Sequence, residues 1–218
     1  MTISVIFRHL GPGPHPCGSP QSIHAMEHTK ESLYEAINDW RKTEFAGFWG
    51  GLKDFQSDVL DAYFKSDFVH INAKLRGVKP TKRYESVKPR YNVDDEVLAL
   101  DEVIKMHQLS EDTYVYRGIS EKYLKGLHVG GEYIDDGFVS TSLIGSVAWG
   151  VFGGFGGVGR AVMQIKLPKG TNCALTRPET MKSQECEVLL PRGSRFKVVG
   201  IEPGETPIYE MELQERWH

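Results

Sequence analysis

Cysteine is scarce: Cys17, Cys173 and Cys186 are the only three in 218 residues. An odd number at no metal-ligand spacing argues against a disulfide framework and against the usual zinc motifs. It suits a reducing compartment. Long apolar runs are also missing, and none approaches the ~20 residues of a membrane span. The N-terminus lacks a signal-peptide pattern, so a cytoplasmic protein is expected. Charge of one sign is not in excess: the net value of -3 leaves no global electrostatic footprint for nucleic acid. There are no internal repeats. What is present is an ordinary globular composition, 40% hydrophobic and 25% charged, long enough for one domain with an extension.

Residues 1–25 crowd proline and glycine into Gly11-Pro12-Gly13-Pro14-His15-Pro16 and Gly18-Ser19-Pro20, which denies that stretch a helix or a central strand. His9, His15, Cys17 and His24 fall at no known zinc spacing, so no metal site is expected there. From Glu27 to Trp40 the apolar stripe of Leu33, Ile37 and Trp40 predicts a helix. Phe45, Phe48 and Trp49 among glycines mark an aromatic corner. A helix from Asp54 carries Phe55, Val59, Leu60 and Tyr63 as apolar positions. Ser66-Asp67 offers an N-cap for the next helix, which runs through Phe68, Ile71, Asn72, Leu75 and Arg76 until Gly77 stops it. Asp94 to His107 predicts one more. The character changes at Thr113, after which short strands are expected over 113–118, 137–142, 160–167, 172–175, 187–190, 196–201 and 208–213, with one short helix near 143–150.

Three polar features stand out against the strands. Arg117 precedes a glycine at a strand end. Ser140-Thr141-Ser142 follows Phe138-Val139. Glu185-Cys186-Glu187 leads into Val188-Leu189-Leu190, and on a strand the period of two puts Glu185 and Glu187 on one face. Taken singly, each has a bland reading: a surface arginine, hydroxyls on an edge strand, a solvated acidic face. Together they would form a charged cleft where the arginine holds a phosphate by a forked contact and a carboxylate stabilises positive charge on a sugar. Gly154-Phe155-Gly156-Gly157-Val158-Gly159 satisfies G-x-G-x-x-G literally. It leads into a strand rather than opening a helix, so the Rossmann reading fails. Cys186 should face the core as packing.

Aromatic-Arg-Gly, then Ser-Thr-Ser, then Glu-x-Glu, in that order, resembles the mono-ADP-ribosyltransferase family of the arginine-Ser-glutamate class. Phe68-x-x-x-Asn72-x-x-Leu75-Arg76 is similar to the family's Tyr-x-x-x-Asn-x-x-Leu-Arg helix, with phenylalanine in place of tyrosine. The resemblance spans roughly residues 30 to 215. It implies an α+β fold, a helical N-terminal lobe followed by a split β-sandwich core, with NAD as co-substrate and no metal. Arg117, Ser140, Glu185 and Glu187 become the implied catalytic set. Arg117 would bind a phosphate or the neighbouring ribose, and Gly118 would present its backbone to the nicotinamide amide. Ser140 would keep Glu187 and the ribose in register. Glu187 would bond the ribose hydroxyl and stabilise the cation as nicotinamide leaves, while Glu185 would orient or deprotonate the acceptor. Asn72, Arg76, Thr141, Phe152, Phe155 and Arg160 complete the implied dinucleotide contacts: in the family a loop closes over the nicotinamide at the glycine-rich 153–159 stretch, where Phe152 or Phe155 would stack on the ring, a flexible hairpin with exposed aromatics being the plain alternative. Gln184 lies one residue out of register with the two acids.

The expected organisation is an extension over 1–25 and a transferase domain over 26–218, divided into a helical lobe (26–110) and a β-rich NAD-binding core (111–218). The expected reaction moves ADP-ribose to a macromolecular acceptor, a protein arginine above all, and the expected setting is a bacterial cell with a phage or effector enzyme. Two rivals share the fold. One uses water or RNA as acceptor, the RNA guided by Lys79, Lys82, Arg83, Lys88 and Arg90 with Tyr84 and Tyr91; a solvated loop is the preferred reading of that run. The other is a non-catalytic, phage head-associated binding module, against which the intact Arg117, Ser140, Glu185 and Glu187 argue.

Overall fold

Among the described residues four helices come first and a sheet follows, as the switch of period at Thr113 predicts. The structure, a computed structural model, describes residues 30–80, 82–150, 159–177 and 185–214. The 1–25 extension, Phe152, Phe155 and Gln184 lie outside the described residues, as do the four His and Cys positions of the extension.

Helix α1 (Lys30–Glu44) turns Ile37 and Arg41 inward, both almost fully buried. Helix α2 (Asp54–Ala62) runs into a single π turn (Tyr63–Asp67) and on into α3 (Phe68–Leu75). The N-cap expected of Asp67 is therefore absent, and the backbone stays helical through it. Its carboxylate is engaged elsewhere, accepting from Ser66 Oγ at 2.7 Å and from the Arg90 backbone N–H at 2.7 Å. Helix α3 ends as its glycine requires: Gly77 is left-handed (φ 64°), its N–H bonds Lys74 O, and Val78 N–H reaches back to Ala73 O. That is the paired closure a left-handed glycine permits. Helix α4 (Val93–Lys105) starts at Asn92, whose side chain accepts from Asp94 N–H, with three acids in its first turn that favour the positive helix end.

Eight strands form one mixed sheet in the order β2-β7-β8-β4-β1-β3-β6-β5. They are β1 (Thr113–Ser120), β2 (Glu132–Asp135), β3 (Val139–Ser142), β4 (Arg160–Leu167), β5 (Ala174–Leu175), β6 (Glu187–Leu190), β7 (Ser194–Glu202) and β8 (Ile208–Gln214). Among the described residues only β4 and β8 pair parallel. β1 and β4 pair along eight residues, from Thr113↔Leu167 to Ser120↔Arg160, whereas β1 and β3 share the single pair Tyr116↔Ser142. The sheet is thus split by a seam between a five-stranded and a three-stranded part. The short helix α5 (Gly145–Gly150) leaves β3 and lies against β1; Gly145 fits over the Tyr116 ring.

β2 was not anticipated from the sequence, and the strand expected from 137 starts at Val139. The late start of β3 has a local cause. Asp135 accepts from Gly137 N–H at 3.0 Å, and this local turn takes the residues between β2 and β3 out of any ladder.

Candidate active site

The seam brings three elements of the sequence pattern together. Arg117 on β1 donates from Nη1 to Ser140 O on β3 at 2.8 Å, a side chain bridging strands that share almost no ladder. Its Nη2 lies 3.5 Å from Asp135 Oδ2. Its Nε is buried without a hydrogen-bond partner among the described residues. Next across is β6, where Glu187 pairs in register with Ser142 and Leu189 with Ser140. Glu187 is 4% exposed.

Tyr63, from the π turn, sits beneath this group and is fully buried. Its hydroxyl is 3.4 Å from Ser140 Oγ, 3.4 Å from Phe138 O, and accepts from Asn72 Nδ2 at 3.0 Å. Burial pushes the phenol up to about 12; the bond to Ser140 pulls it back, and the Glu187 charge pushes it further up. A hydroxyl that feels both Glu187 and Arg117 places all three in one electrostatic neighbourhood. Sequence reading took Tyr63 for an apolar helix position. On a regular α-helix nine residues make about two and a half turns, so Tyr63 and Asn72 would face opposite ways. The π turn changes that phase, and nothing in the sequence announces it.

Glu185 corrects an expectation. It does not continue the strand on which Glu187 lies, because β6 begins at Glu187 and Cys186 is left-handed with φ 44°. The period of two stops there. A left-handed non-glycine residue costs on the order of 1 kcal/mol and persists only when its surroundings hold it. Here Ser142 Oγ donates to Glu185 O at 2.6 Å, Leu143 N–H to Cys186 O at 3.1 Å, and Thr176 N–H to Glu187 O at 3.1 Å. Behind them Arg41, 1% exposed, reaches Thr176 O at 2.6 Å and Cys186 Sγ at 3.7 Å. Burial raises the Cys186 thiol, with Arg41 partly opposing, so Cys186 is packing and not a nucleophile, as its place between the acids suggested.

Helix α3 closes the other side. Asn72 accepts from Phe138 N–H at 2.8 Å while donating to Tyr63. Arg76 grips Asp135 by two bonds, Nε to Oδ1 at 2.8 Å and Nη2 to Oδ2 at 3.0 Å. Gly137 lies so close under α3 that a Cβ there would come within 2.7 Å of Asn72 Oδ1 and 2.9 Å of Arg76 Nη2. Phe68 packs edge-on to Tyr63 and Tyr84. Gly118 is buried opposite Val162. Thr141 is turned away from Ser140, its hydroxyl donating to Val188 O at 2.8 Å. Arg160 is exposed at the far end of β4, opposite Ser120. Asp135 was missed because an acid in Glu132-Tyr133-Ile134-Asp135-Asp136-Gly137 reads as a turn residue. Among the described residues no group of three His, Cys, Asp or Glu side chains is placed to hold a metal ion. Of the basic run, Lys79, Lys82, Lys88 and Arg90 are exposed; Tyr91 packs on Phe55 and donates to Asp58.

Residues 37–214 match the family model of the ADP-ribosyltransferase exoenzymes. Solved structures of similar fold include Plx2a, an ADP-ribosyltransferase toxin from Paenibacillus larvae, with 19% identity over 84% of this chain and 97% of that one and a TM-score of 0.66. C3stau2 from S. aureus, solved with NAD, gives 19% identity, 84% and 96% coverage and a TM-score of 0.66. The ADP-ribosyltransferase Vis, a toxin of Vibrio splendidus, solved with agmatine, gives 16% identity, 90% and 88% coverage and a TM-score of 0.65. No curated protein matches significantly.

Proposed function

The chain belongs to the ADP-ribosyltransferase exoenzyme family, and from that premise we propose that it uses NAD to modify a protein arginine with ADP-ribose, releasing nicotinamide. The observation that carries this reading is the seam itself: a guanidinium, a hydroxyl and a nearly buried glutamate, drawn from β1, β3 and β6 into one electrostatic neighbourhood. The donor set suits a dinucleotide. Arg76 and Arg117 stand on one carboxylate, two cations at one place, which is the provision a diphosphate needs. A relative solved with NAD and another solved with agmatine, a guanidinium compound, support the same donor and an arginine-like acceptor here.

The bond that breaks joins ribose C1′ to the nicotinamide nitrogen, and its electron pair leaves with nicotinamide. Arg117 anchors the donor. The Glu187 carboxylate faces the positive charge that builds on the ribose, and burial makes it stronger there than it would be in water. Tyr63 and the Arg117 bridge fix Ser140, and with it the strand against which Glu187 is registered. The acceptor guanidinium must shed a proton as its nitrogen attacks C1′, since it stays charged up to about pH 12 or above. Glu185, at the turn before β6, takes that proton as a general base.

The test is nicotinamide release from NAD, with arginine-bearing proteins present, by the wild type and Glu187→Ala. The wild type should release nicotinamide while target proteins gain the mass of ADP-ribose on arginine. Glu187→Ala should be slower by about 10²–10³-fold or more, the usual loss when a preorganised charge is removed. Absence of turnover by the wild type would overturn the reading. Release without any protein gaining mass would replace arginine by water as the acceptor.

A further inference from the structure

Asp135 belongs to neither the catalytic triplet nor the α3 pattern, yet the site is built around it. Its side chain is 2% exposed. Oδ1 accepts from Arg76 Nε at 2.8 Å and Gly137 N–H at 3.0 Å; Oδ2 accepts from Arg76 Nη2 at 3.0 Å and the Tyr133 hydroxyl at 3.4 Å, with Arg117 Nη2 at 3.5 Å. One carboxylate therefore joins a cation from α3 to a cation from β1. It takes the Nε–Nη2 edge of Arg76 and leaves the Nη1 end of a side chain that is 34% exposed. Two guanidiniums and one carboxylate leave a local charge of +1 where the arginines alone would give +2.

We propose that Asp135 is a built-in counter-anion for the diphosphate of the donor: it holds Arg76 and Arg117 as one preformed cationic site and sets, by limiting its charge, how tightly the donor binds. The inference rests on the NAD reading above. A carboxylate and a phosphate want the same forked donors, so an anion already on the pair weakens the attraction for the next one. Keeping both cations in fixed positions removes the ordering cost that two free arginines would bring to binding. Grip on the diphosphate is the same before and during bond cleavage, so making it stronger lowers KM without raising kcat. A counter-anion holds such uniform binding in check.

The charge count makes the test sharp. NAD and ADP are titrated by calorimetry, at low and high salt, into the wild type, Asp135→Asn, Arg76→Gln and the double variant. Asp135→Asn (+2) should bind both nucleotides about tenfold tighter with a steeper salt dependence, and Arg76→Gln (0) about tenfold weaker with a flatter one. The double variant (+1) should return to within about threefold of the wild type, each removed charge moving affinity in its own direction. If Asp135 serves only to hold the fold, Asp135→Asn binds more weakly and the double variant more weakly still; either of those results, or an unchanged affinity, overturns the proposal. Should Asp135→Asn not fold, Arg76→Lys decides. It keeps the charge at +1 and loses the two-point grip, so near-wild-type affinity supports the charge count and a large loss overturns it. Wild-type protein that binds neither nucleotide overturns the NAD reading itself, whereas wild-type binding without the charge pattern overturns only the role of Asp135.

Discussion

Strand β1 meets β4 over eight residue pairs and β3 over one. On the first side the sheet is held by backbone bonds, which any sequence without proline can make. On the other side the attachment is made by side chains. Arg117 bonds Ser140 O, Asn72 bonds Phe138 N–H, and Tyr63 bonds Phe138 O. The three-stranded part thus depends on particular residues for its position, and they are the residues around the candidate site. Where the ladder is thin, one set of side chains holds the strands and lines the candidate site, so on the proposed function stability and activity should fall together there and not elsewhere.

Two glycines put this contrast to its hardest test. Gly137 lies in the turn before β3, and a methyl group there would press on Asn72 Oδ1 and Arg76 Nη2, both locked in hydrogen bonds. Gly200 lies in β7, where the added methyl would meet the end of the Glu210 side chain, a carboxylate that can swing aside. Gly137→Ala should lower stability by about 2–3 kcal/mol, the upper range for overpacking, and abolish most turnover by moving α3 from the site. Gly200→Ala should stay within about 0.5 kcal/mol with activity unchanged. Urea melts beside nicotinamide release measure both, and equal losses would break the comparison between the two parts of the sheet.

A smaller effect is expected from Tyr63→Phe, which keeps the ring contacts with Phe64, Phe68 and Phe138 and removes the hydroxyl. Asn72 Nδ2 and Ser140 Oγ then lose a partner, at about 1–2 kcal/mol of stability. Turnover should drop about tenfold through kcat with KM for NAD little changed, because Tyr63 touches Ser140 and not the cation pair. An unaltered kcat would mean that the hydroxyl holds the strand without holding the chemistry.

These cases also show what could be read beforehand. Arg117, Ser140 and Glu187 were legible because each sits on a strand whose alternation sequence can report, and the order of three short patterns is specific where each alone is not. The helical half, the stop at Gly77 and the late strands were legible for the same reason. Tyr63 was not, since a π turn has no signature and nine residues of α-helix would turn it away from Asn72. Asp135 was hidden by its turn-like neighbours, and its worth comes from two arginines that lie 59 and 18 positions from it in the chain. Buried Arg41 drew no expectation from the sequence, its partners Thr176 and Cys186 lying 135 and 145 positions away. The Glu185 expectation failed at one backbone angle. Local pattern reports an element's face; it does not report where an element stops or which distant groups share a buried ion pair.

The smallest effect concerns what lies against the π turn. Glu96 of α4 is 0% exposed and Asp67, at the end of the turn, is 2% exposed. Burial first, and the neighbouring Asp67 carboxylate second, push Glu96 from 4.5 up to about 8. An acid whose proton is held in the folded state but shed in the unfolded one makes folding take up a proton between those two values. Stability from this source is present below pH 4.5, declines as pH rises to about 8, and is flat above, where the buried group must be charged. Glu96→Gln removes the charge and keeps the shape. Its Tm should match the wild type near pH 5 and exceed it at pH 9 by about 2–4 °C, the shift that ~1 kcal/mol gives in a chain of this length. Because the turn carries Tyr63, the wild type should also lose activity at pH 9 sooner than Glu96→Gln does. A variant whose Tm ran parallel to the wild type from pH 5 to pH 9 would show that the buried acid does not tighten or loosen the turn, and would leave the seam's side-chain bonds and the shared core to hold the smaller part of the sheet.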